Sequence, residues 1–429
     1  MGEGYHPTSP THAGLWCGMR FTWMILPLLS ACAPSPSTRP DPDGFAQSID
    51  VRITAPDDGA AVTSPFSITV EAGDDVASLQ LLLDGEPSGR RLSADDRRVV
   101  VSAAPGRRRV TLQGLDAAGA LLREDTLRVT VLEDANEDYV SFATPYEDAS
   151  VVSPVQLVPI ASEEVAQIEL LVGGERVAVV SPGEVFTLRT AHVGALALGA
   201  RGLDHSGALL AESSLDVTLR APAPVAESAF NQRILDLIAT YPDDGTYTYW
   251  WPSGTAWSGS TQNIYYQGAL VADDGGVSSC YCSGITWELF LQTWRGVAAE
   301  QGLSFDDLNG LNDDELMTMR LDWYVRELDG PGPDVALSAR GLGARVESLD
   351  DLRPGDLLQF WRTSGSGHTV VFVGFEEDDE GNLTGLSYVS CQGASDGFGV
   401  NTEYFGAFSG AIDPLLIFAG RATMPSSWR

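Results

Sequence analysis

The chain contains no lysine: its 26 basic residues are all arginine, set against 59 Asp and Glu, for a formal charge of −33. That absence excludes a Schiff-base lysine, a phosphate-loop lysine and a lysine general base. So acidic a balance also argues against nucleic acid as a partner, because phosphate contacts need clustered Arg or Lys. Histidine is scarce, five residues in 429, and His368 is the only one beyond residue 222. Cysteine is limited to Cys17, Cys32, Cys280, Cys282 and Cys391. No cofactor motif is present. The acidic stretch with Asp306, Asp307, Asp313, Asp314 and Glu315 does not have calcium-loop spacing, so no metal is expected.

What is present begins with an export address. Arg20 precedes an apolar run over residues 21–29, too short to cross a bilayer, which ends in Leu29-Ser30-Ala31-Cys32. This resembles a bacterial lipoprotein signal and implies removal of residues 1–31 and lipid attachment at Cys32. The protein would then be anchored in the bacterial cell envelope. Met19 makes a more ordinary start than Met1. Residues 32–48, with Pro34, Pro36, Pro40 and Pro42, read as an extended tether.

Beyond the tether lies an internal repeat. Ala55-Pro56 and Ser64-Pro65 answer to Thr144-Pro145 and Ser153-Pro154, an offset of 89 residues. Gly114-Leu115-Asp116 answers to Gly202-Leu203-Asp204, an offset of 88. Period-2 runs such as Phe66-Ser67-Ile68-Thr69-Val70 indicate antiparallel β-sandwiches over 49–133 and 138–221. They resemble bacterial immunoglobulin-like modules, which implies a possible surface partner. His192 and His205 have no chemical partners in their copy and read as solvated loop or edge residues.

A different region opens after Ala221-Pro222-Ala223-Pro224. Residues 226–240 read as an amphipathic helix, and residues 247–266 are rich in Tyr, Trp, Ser and Gly, as groove-lining loops are. Then Ser279-Cys280-Tyr281-Cys282-Ser283-Gly284 leads into an apolar-periodic run, with Ile285, Leu289, Phe290, Thr293 and Val297 near one face. Cys282 therefore falls at a helix N-terminus, where free N–H groups and the macrodipole favour an anionic sulfur. A nucleophile needs a base, and His368 is the one histidine in reach of sequence. It follows a Thr-Ser-Gly-Ser-Gly loop and starts the strand-like run Thr369-Val370-Val371-Phe372-Val373. A preceding strand, residues 357–361, and a following one, residues 386–391, make a meander. Ser390 and Gln392 share a face of the last strand and are candidates to orient the imidazole, Gln392 being the better fixed acceptor and Asn401 an outside candidate.

Cys282-Ser283-Gly284, Pro354-Gly355-Asp356-Leu357 with Phe360, and His368 with Val371, Val373 and Gly374 together resemble the NlpC-type cysteine peptidases, cell-wall endopeptidases related to the CHAP amidases. The resemblance covers about half the chain and implies a multidomain protein: two all-β sandwiches, then an α+β papain-like domain over 226–429. It implies a cysteine hydrolase acting on peptidoglycan or another peptide, with Cys282 as nucleophile, His368 as base and Gln392 or Ser390 as orienting residue. It places Tyr265 or Tyr266, with Ser283, at the substrate. Tyr281 stands where the family usually has Asp. The rival classes are a non-catalytic surface binding protein on the same scaffold and a thiol acyltransferase. Three pairings remain open for Cys280, Cys282 and Cys391: a Cys280–Cys391 bridge, three free thiols, or a Cys282–Cys391 bridge. A one-residue spacer disfavours Cys280–Cys282.

Overall fold

Both copies of the repeat fold as two-sheet sandwiches. The computed structural model describes residues 51–429 apart from 57, 74–75, 89–90, 94–97, 104–105, 133–137, 243, 252–256, 327–328, 364–365, 409 and 429. Cys32, the leader over 1–31 and the tether over 32–48 lie outside the described residues. In the first sandwich, strands Val51–Ala55, Phe66–Ala72 and Arg98–Val101 form one sheet. Strands Ala60–Thr63, Leu121–Leu132, Gly106–Leu115 and Ser78–Leu83 run in that order through the other. Alternation sends Phe66, Ile68 and Val70 inward against Leu79, Leu81, Val110 and Leu112. The second sandwich repeats the plan. Its strand Ala149–Val152 pairs parallel with Leu209–Arg220, as Ala60–Thr63 does with Leu121–Leu132. The same aspartate closes the same hairpin in each copy: Asp116 Oδ1 accepts from the amides of Ala118 and Ala120, and Asp204 Oδ1 from those of Ser206 and Ala208.

The remaining residues are built on one six-stranded antiparallel sheet. Its order is Gly343–Val346, Ile412–Ala422, Leu357–Arg362, Gly367–Glu377, Leu383–Gln392, Gly397–Tyr404. Four α-helices among the described residues accompany it. Helix α1, Ala229–Ile238, is shorter than the 226–240 expected, because Ser228 caps it by accepting from the Phe230 amide. Helix α2 is Cys282–Gln301, stopped by Gly302 in the left-handed region at φ 69°. Helix α3, Asp313–Trp323, starts in the acidic stretch with an Asn312–Glu315 capping box. Helix α4 is Pro333–Ser338. The apolar face expected for α2 understates its burial. Trp287, Leu291 and Trp294 are buried as well, so the helix is enclosed rather than amphipathic.

This architecture corrects the expected fold class. An α+β papain-like domain over 226–429 does not describe it, since the chain is dominated by β-structure, 48% strand against 16% helix. Two long strands that no motif announced, Gly397–Tyr404 and Ile412–Ala422, extend the sheet on either side of the expected meander, and Gly343–Val346 adds an edge. The sheet, not a helical layer, organises this half of the molecule.

One face of the sheet packs on α2 through Leu357, Val371, Val389 and Phe398. The other face, carrying Leu358, Phe360, Val370, Phe372 and Tyr388, is covered by Val158 and Val185 of the second sandwich. Thr187 seals that contact: its amide donates to Asn382 Oδ1 at 2.9 Å and its Oγ1 accepts from the Leu383 amide at 2.7 Å. The second sandwich is thus part of the roof of the sheet. Below it, Asp356 and Arg421 are paired in the interior, 0% and 1% exposed. Arg421 Nε and one terminal nitrogen reach the carboxylate at 2.8 and 2.7 Å, and Asn231 Nδ2 adds a third bond at 2.7 Å.

Candidate active site

Cys282 is the first residue of α2. Tyr281 before it is extended, at φ −139° and ψ 170°, and offers no side-chain cap, so the first-turn amides of the helix are left uncapped. Two devices fix this helix head. A disulfide joins Cys280 to Cys391, with Cα atoms 5.9 Å apart, and so ties the residue two before Cys282 to the sheet. Cys282 is the free cysteine among the described residues. The second device is a loop laid across the first turn. The Tyr281 amide donates to the Gly259 carbonyl and Ser260 Oγ to the Gly284 carbonyl, both at 3.2 Å. A Cβ on Gly284 would lie 2.3 Å from the loop backbone, so this close crossing requires glycine there. Glu288, one turn further along α2 and fully buried, anchors the same loop. It accepts from the Thr261 amide at 2.6 Å, Thr261 Oγ1 and Gln262 Nε2 at 2.8 Å, and Tyr241 Oη at 2.6 Å. Four donors make a buried carboxylate tolerable.

A chain of hydroxyls runs from the thiol into the sheet. Gln359 Nε2 is committed to the Phe360 carbonyl at 3.1 Å, so its Oε1 accepts the Thr369 hydroxyl proton at 2.8 Å. Thr369 Oγ1 must then accept from Ser283 Oγ, 3.2 Å away, which leaves Ser283 Oγ to accept from the Cys282 thiol at 3.8 Å. Each hydroxyl has one proton, so the direction is fixed along the whole chain. Ser283, buried, therefore links the helix head to the strand of His368.

His368 points the other way from Thr369, as successive strand residues do. Its cross-strand partner is Phe360, and its ring lies 5.6 Å from that of Phe360 and 5.4 Å from that of Tyr388. Carrying the Val371–Val389 register three residues outward sets it opposite Gln392. The imidazole is 6% exposed. Burial first, then the Arg362 guanidinium, hold it well below the ordinary histidine value, and the neighbouring Gln392 amide opposes them. Nε2 of His368 and Nε2 of Gln392 are both buried without a hydrogen-bond partner. No hydrogen bond joins Cys282 to His368; the thiol turns to Ser283 instead.

The other expected residues separate. Ser390 is fully buried and donates to the Thr369 carbonyl at 2.9 Å, so it holds backbone rather than the imidazole. Tyr266 is a correction. It lies in the core, donating to the Leu311 carbonyl at 2.7 Å and accepting from the Leu308 amide at 3.0 Å, and no substrate reaches it. Tyr265 is 57% exposed. The sequence reading missed Arg362, Tyr388 and Glu403, which lie around Gln392; Asn401, the outside candidate, donates to Tyr388 Oη at 3.0 Å rather than meeting the imidazole. The period-2 rule that joined Ser390 to Gln392 also puts Tyr388 on their face, and that signal was available.

A neutral imidazole has a measurable consequence. In the folded protein His368 is expected to stay uncharged at pH 6.5, where a free imidazole is half protonated. The unfolded chain takes up that proton and the folded one does not. Stability carried by neutral burial is therefore present above about pH 6.5 and lost as pH falls toward the lowered value. Histidine ring shifts followed by NMR, with His368→Ala to assign the signal, check this; a midpoint at or above 6.5 would contradict it.

No family model matches the chain, and no curated protein does. Among solved structures it is similar to the fibronectin(III)-like modules of Clostridium thermocellum CbhA, at 16% identity over 40% of this chain and 95% of that one, with a TM-score of 0.19. It is also similar to Bacteroides uniformis beta-glucuronidase 3, at 13% identity over 41% of this chain and 25% of that one, TM-score 0.22. A third is Bacteroides ovatus SGBP-B of a mixed-linkage glucan utilization locus, solved with a mixed-linkage heptasaccharide, at 18% identity, 42% and 48% coverage and TM-score 0.18. The chain spans a quarter and about half of the latter two. Likenesses at this level say nothing of its chemistry.

Proposed function

We propose that this chain is an exported thiol hydrolase that cleaves amide bonds, with peptidoglycan stem peptides as the leading substrate class, as its NlpC-like motifs suggest. One observation supports this most: the free thiol among the described residues heads a buried, uncapped helix that Ser283 and Thr369 tie to the strand of His368. Cys282 Sγ attacks the carbonyl carbon. His368 takes the thiol proton and returns it to the departing amine, and water then releases the acyl group from sulfur with the imidazole as its base. Nε2 of His368 is buried without a partner, and the proton exchange is assigned to Nδ1. The first-turn amides of α2 stabilise the oxyanion. For the first step His368 must swing from the sheet face opposite the helix head, where it packs on Phe360 and Tyr388, to reach the thiol. An amine that replaces water as acceptor would make the same dyad an acyltransferase.

The rival reading, a surface binding protein on a non-catalytic scaffold, is favoured by the lack of a Cys282–His368 hydrogen bond. Incubating the whole chain and its Cys282→Ala variant with purified peptidoglycan and a peptide set, with products read by mass spectrometry, separates the two. New termini from the parent alone support hydrolysis; no products from either sink it.

Lipid anchoring at Cys32 is part of the same proposal, resting on Leu29-Ser30-Ala31-Cys32. The parent is expected in the detergent phase of a phase-partition experiment and Cys32→Ser in the aqueous phase. Equal partitioning of both would refute the anchor.

A further inference from the structure

The buried polar network beside His368 contains a contradiction of protons that has one solution. Arg362 grips Glu403 at two points, Nε to Oε2 at 2.5 Å and a terminal nitrogen to Oε1 at 2.6 Å. A carboxylate held so is ionised and accepts only. Tyr388 Oη touches Glu403 Oε1, and its single proton must go there. Asn401 Nδ2 donates to the same hydroxyl at 3.0 Å. Tyr388 Oη also lies 2.8 Å from the oxygen end of the Gln392 amide, to which it has no second proton to give. Two bare oxygens would then face each other in the interior, while the amide nitrogen of Gln392 and Nε2 of His368 both stay unpaired. Three faults arise from one choice of amide orientation, which heavy-atom positions alone do not distinguish.

We infer that the Gln392 amide is turned with its nitrogen on Tyr388 Oη and its carbonyl oxygen toward His368 Nε2, and that Tyr388, set by the Arg362–Glu403 pair, is the positioning residue that enforces this orientation. Every member is then satisfied. Tyr388 gives its proton to Glu403 and accepts from Asn401 and Gln392, and Gln392 accepts from the imidazole. The consequence is chemical: His368 carries its proton on Nε2 and presents a lone pair at Nδ1, the form a base needs. The charge on Glu403 selects the tautomer through two intervening side chains without touching the imidazole. The Tyr388 hydroxyl, raised in pKa by burial and then by Glu403, stays protonated throughout. The catalytic meaning rests on the hydrolase proposal; the tautomer does not.

The test uses the full chain labelled with ¹⁵N-histidine. In the parent, ring nitrogen shifts of His368 are expected to show a single Nε2–H tautomer. Tyr388→Phe keeps the ring contacts with Phe360 and His368 while removing the hydroxyl, and should yield a mixture of both tautomers; Glu403→Gln should do the same. Melting curves confirm that these variants fold. With a cleavable substrate in hand, kcat of Tyr388→Phe should drop about 10- to 100-fold with KM unchanged, as for other supporting residues that orient a reactive imidazole. An Nδ1–H tautomer in the parent, or a parent-like tautomer in both variants, overturns the inference. A chain that shows the tautomer switch yet cleaves nothing upholds it and overturns only the hydrolase reading.

Discussion

With Cys282 replaced by alanine, amide cleavage is expected to fall by about 10⁴-fold or more, the scale on which a covalent nucleophile matters in hydrolases that use one. The His368→Ala variant should fall about as far, and the double variant no further, because nucleophile and base act as one unit. The fold should be untouched, since the thiol is half-buried and its polar contact among the described residues is Ser283. Of the three cysteines beyond residue 222, two are joined in the disulfide, so non-reducing iodoacetamide treatment should mark Cys282 alone in that region. Labelling near neutral pH should slow in His368→Ala. Equal labelling rates in the two proteins, together with parent-level cleavage by Cys282→Ala, would remove both residues from the chemistry.

Asp356→Ala is expected to cost about 3–5 kcal/mol of stability, the range for removing one partner of a buried ion pair. Without the carboxylate, Arg421 keeps its charge in the interior with only the carbonyls of Ala226 and Asp351, at 3.2 and 2.5 Å, for partners. Asn231 loses its bond to Oδ1 and retains the Pro354 carbonyl at 3.2 Å. The carboxylate also binds the Arg353 amide at 2.8 Å, shaping the turn that enters strand Leu357–Arg362. Pairing Asp356→Leu with Arg421→Met removes both charges together and should recover most of the loss. Denaturant midpoints of the single and double variants decide it. A single variant within about 1 kcal/mol of the parent, the range of an exposed pair, would mean that the charges are not buried together. Asp356 belongs to the Pro354-Gly355-Asp356-Leu357 segment that helped to suggest the hydrolase family. Its part in that segment is structural: it joins α1, the turn and the last long strand.

Much that is local was legible before any coordinates. The repeat could be read because its turns recur with their aspartates, and period-2 runs marked sandwich strands because a half-buried strand must alternate. The start of α2 at Cys282 followed from the onset of apolar periodicity. The limits lay where a residue's meaning depends on what another segment brings to it. Tyr265 and Tyr266 are neighbours in sequence, yet one is exposed and the other is sealed in the core, because Leu308 and Leu311 close over it. The full width of the sheet in residues 226–429 also escaped, since strands Gly397–Tyr404 and Ile412–Ala422 lack a motif and acquire their identity by pairing. Chain pattern by itself determined where Cys282 and His368 sit on their elements. Only the tertiary structure decided that Thr369 faces the helix and His368 the opposite side, under a roof supplied by the second sandwich. It also brought Arg362, Tyr388 and Glu403 around Gln392. The reason is physical: secondary structure follows from forces between residues a few positions apart along one element, whereas burial, charge pairing and proton placement are set by neighbours that other elements bring to a residue.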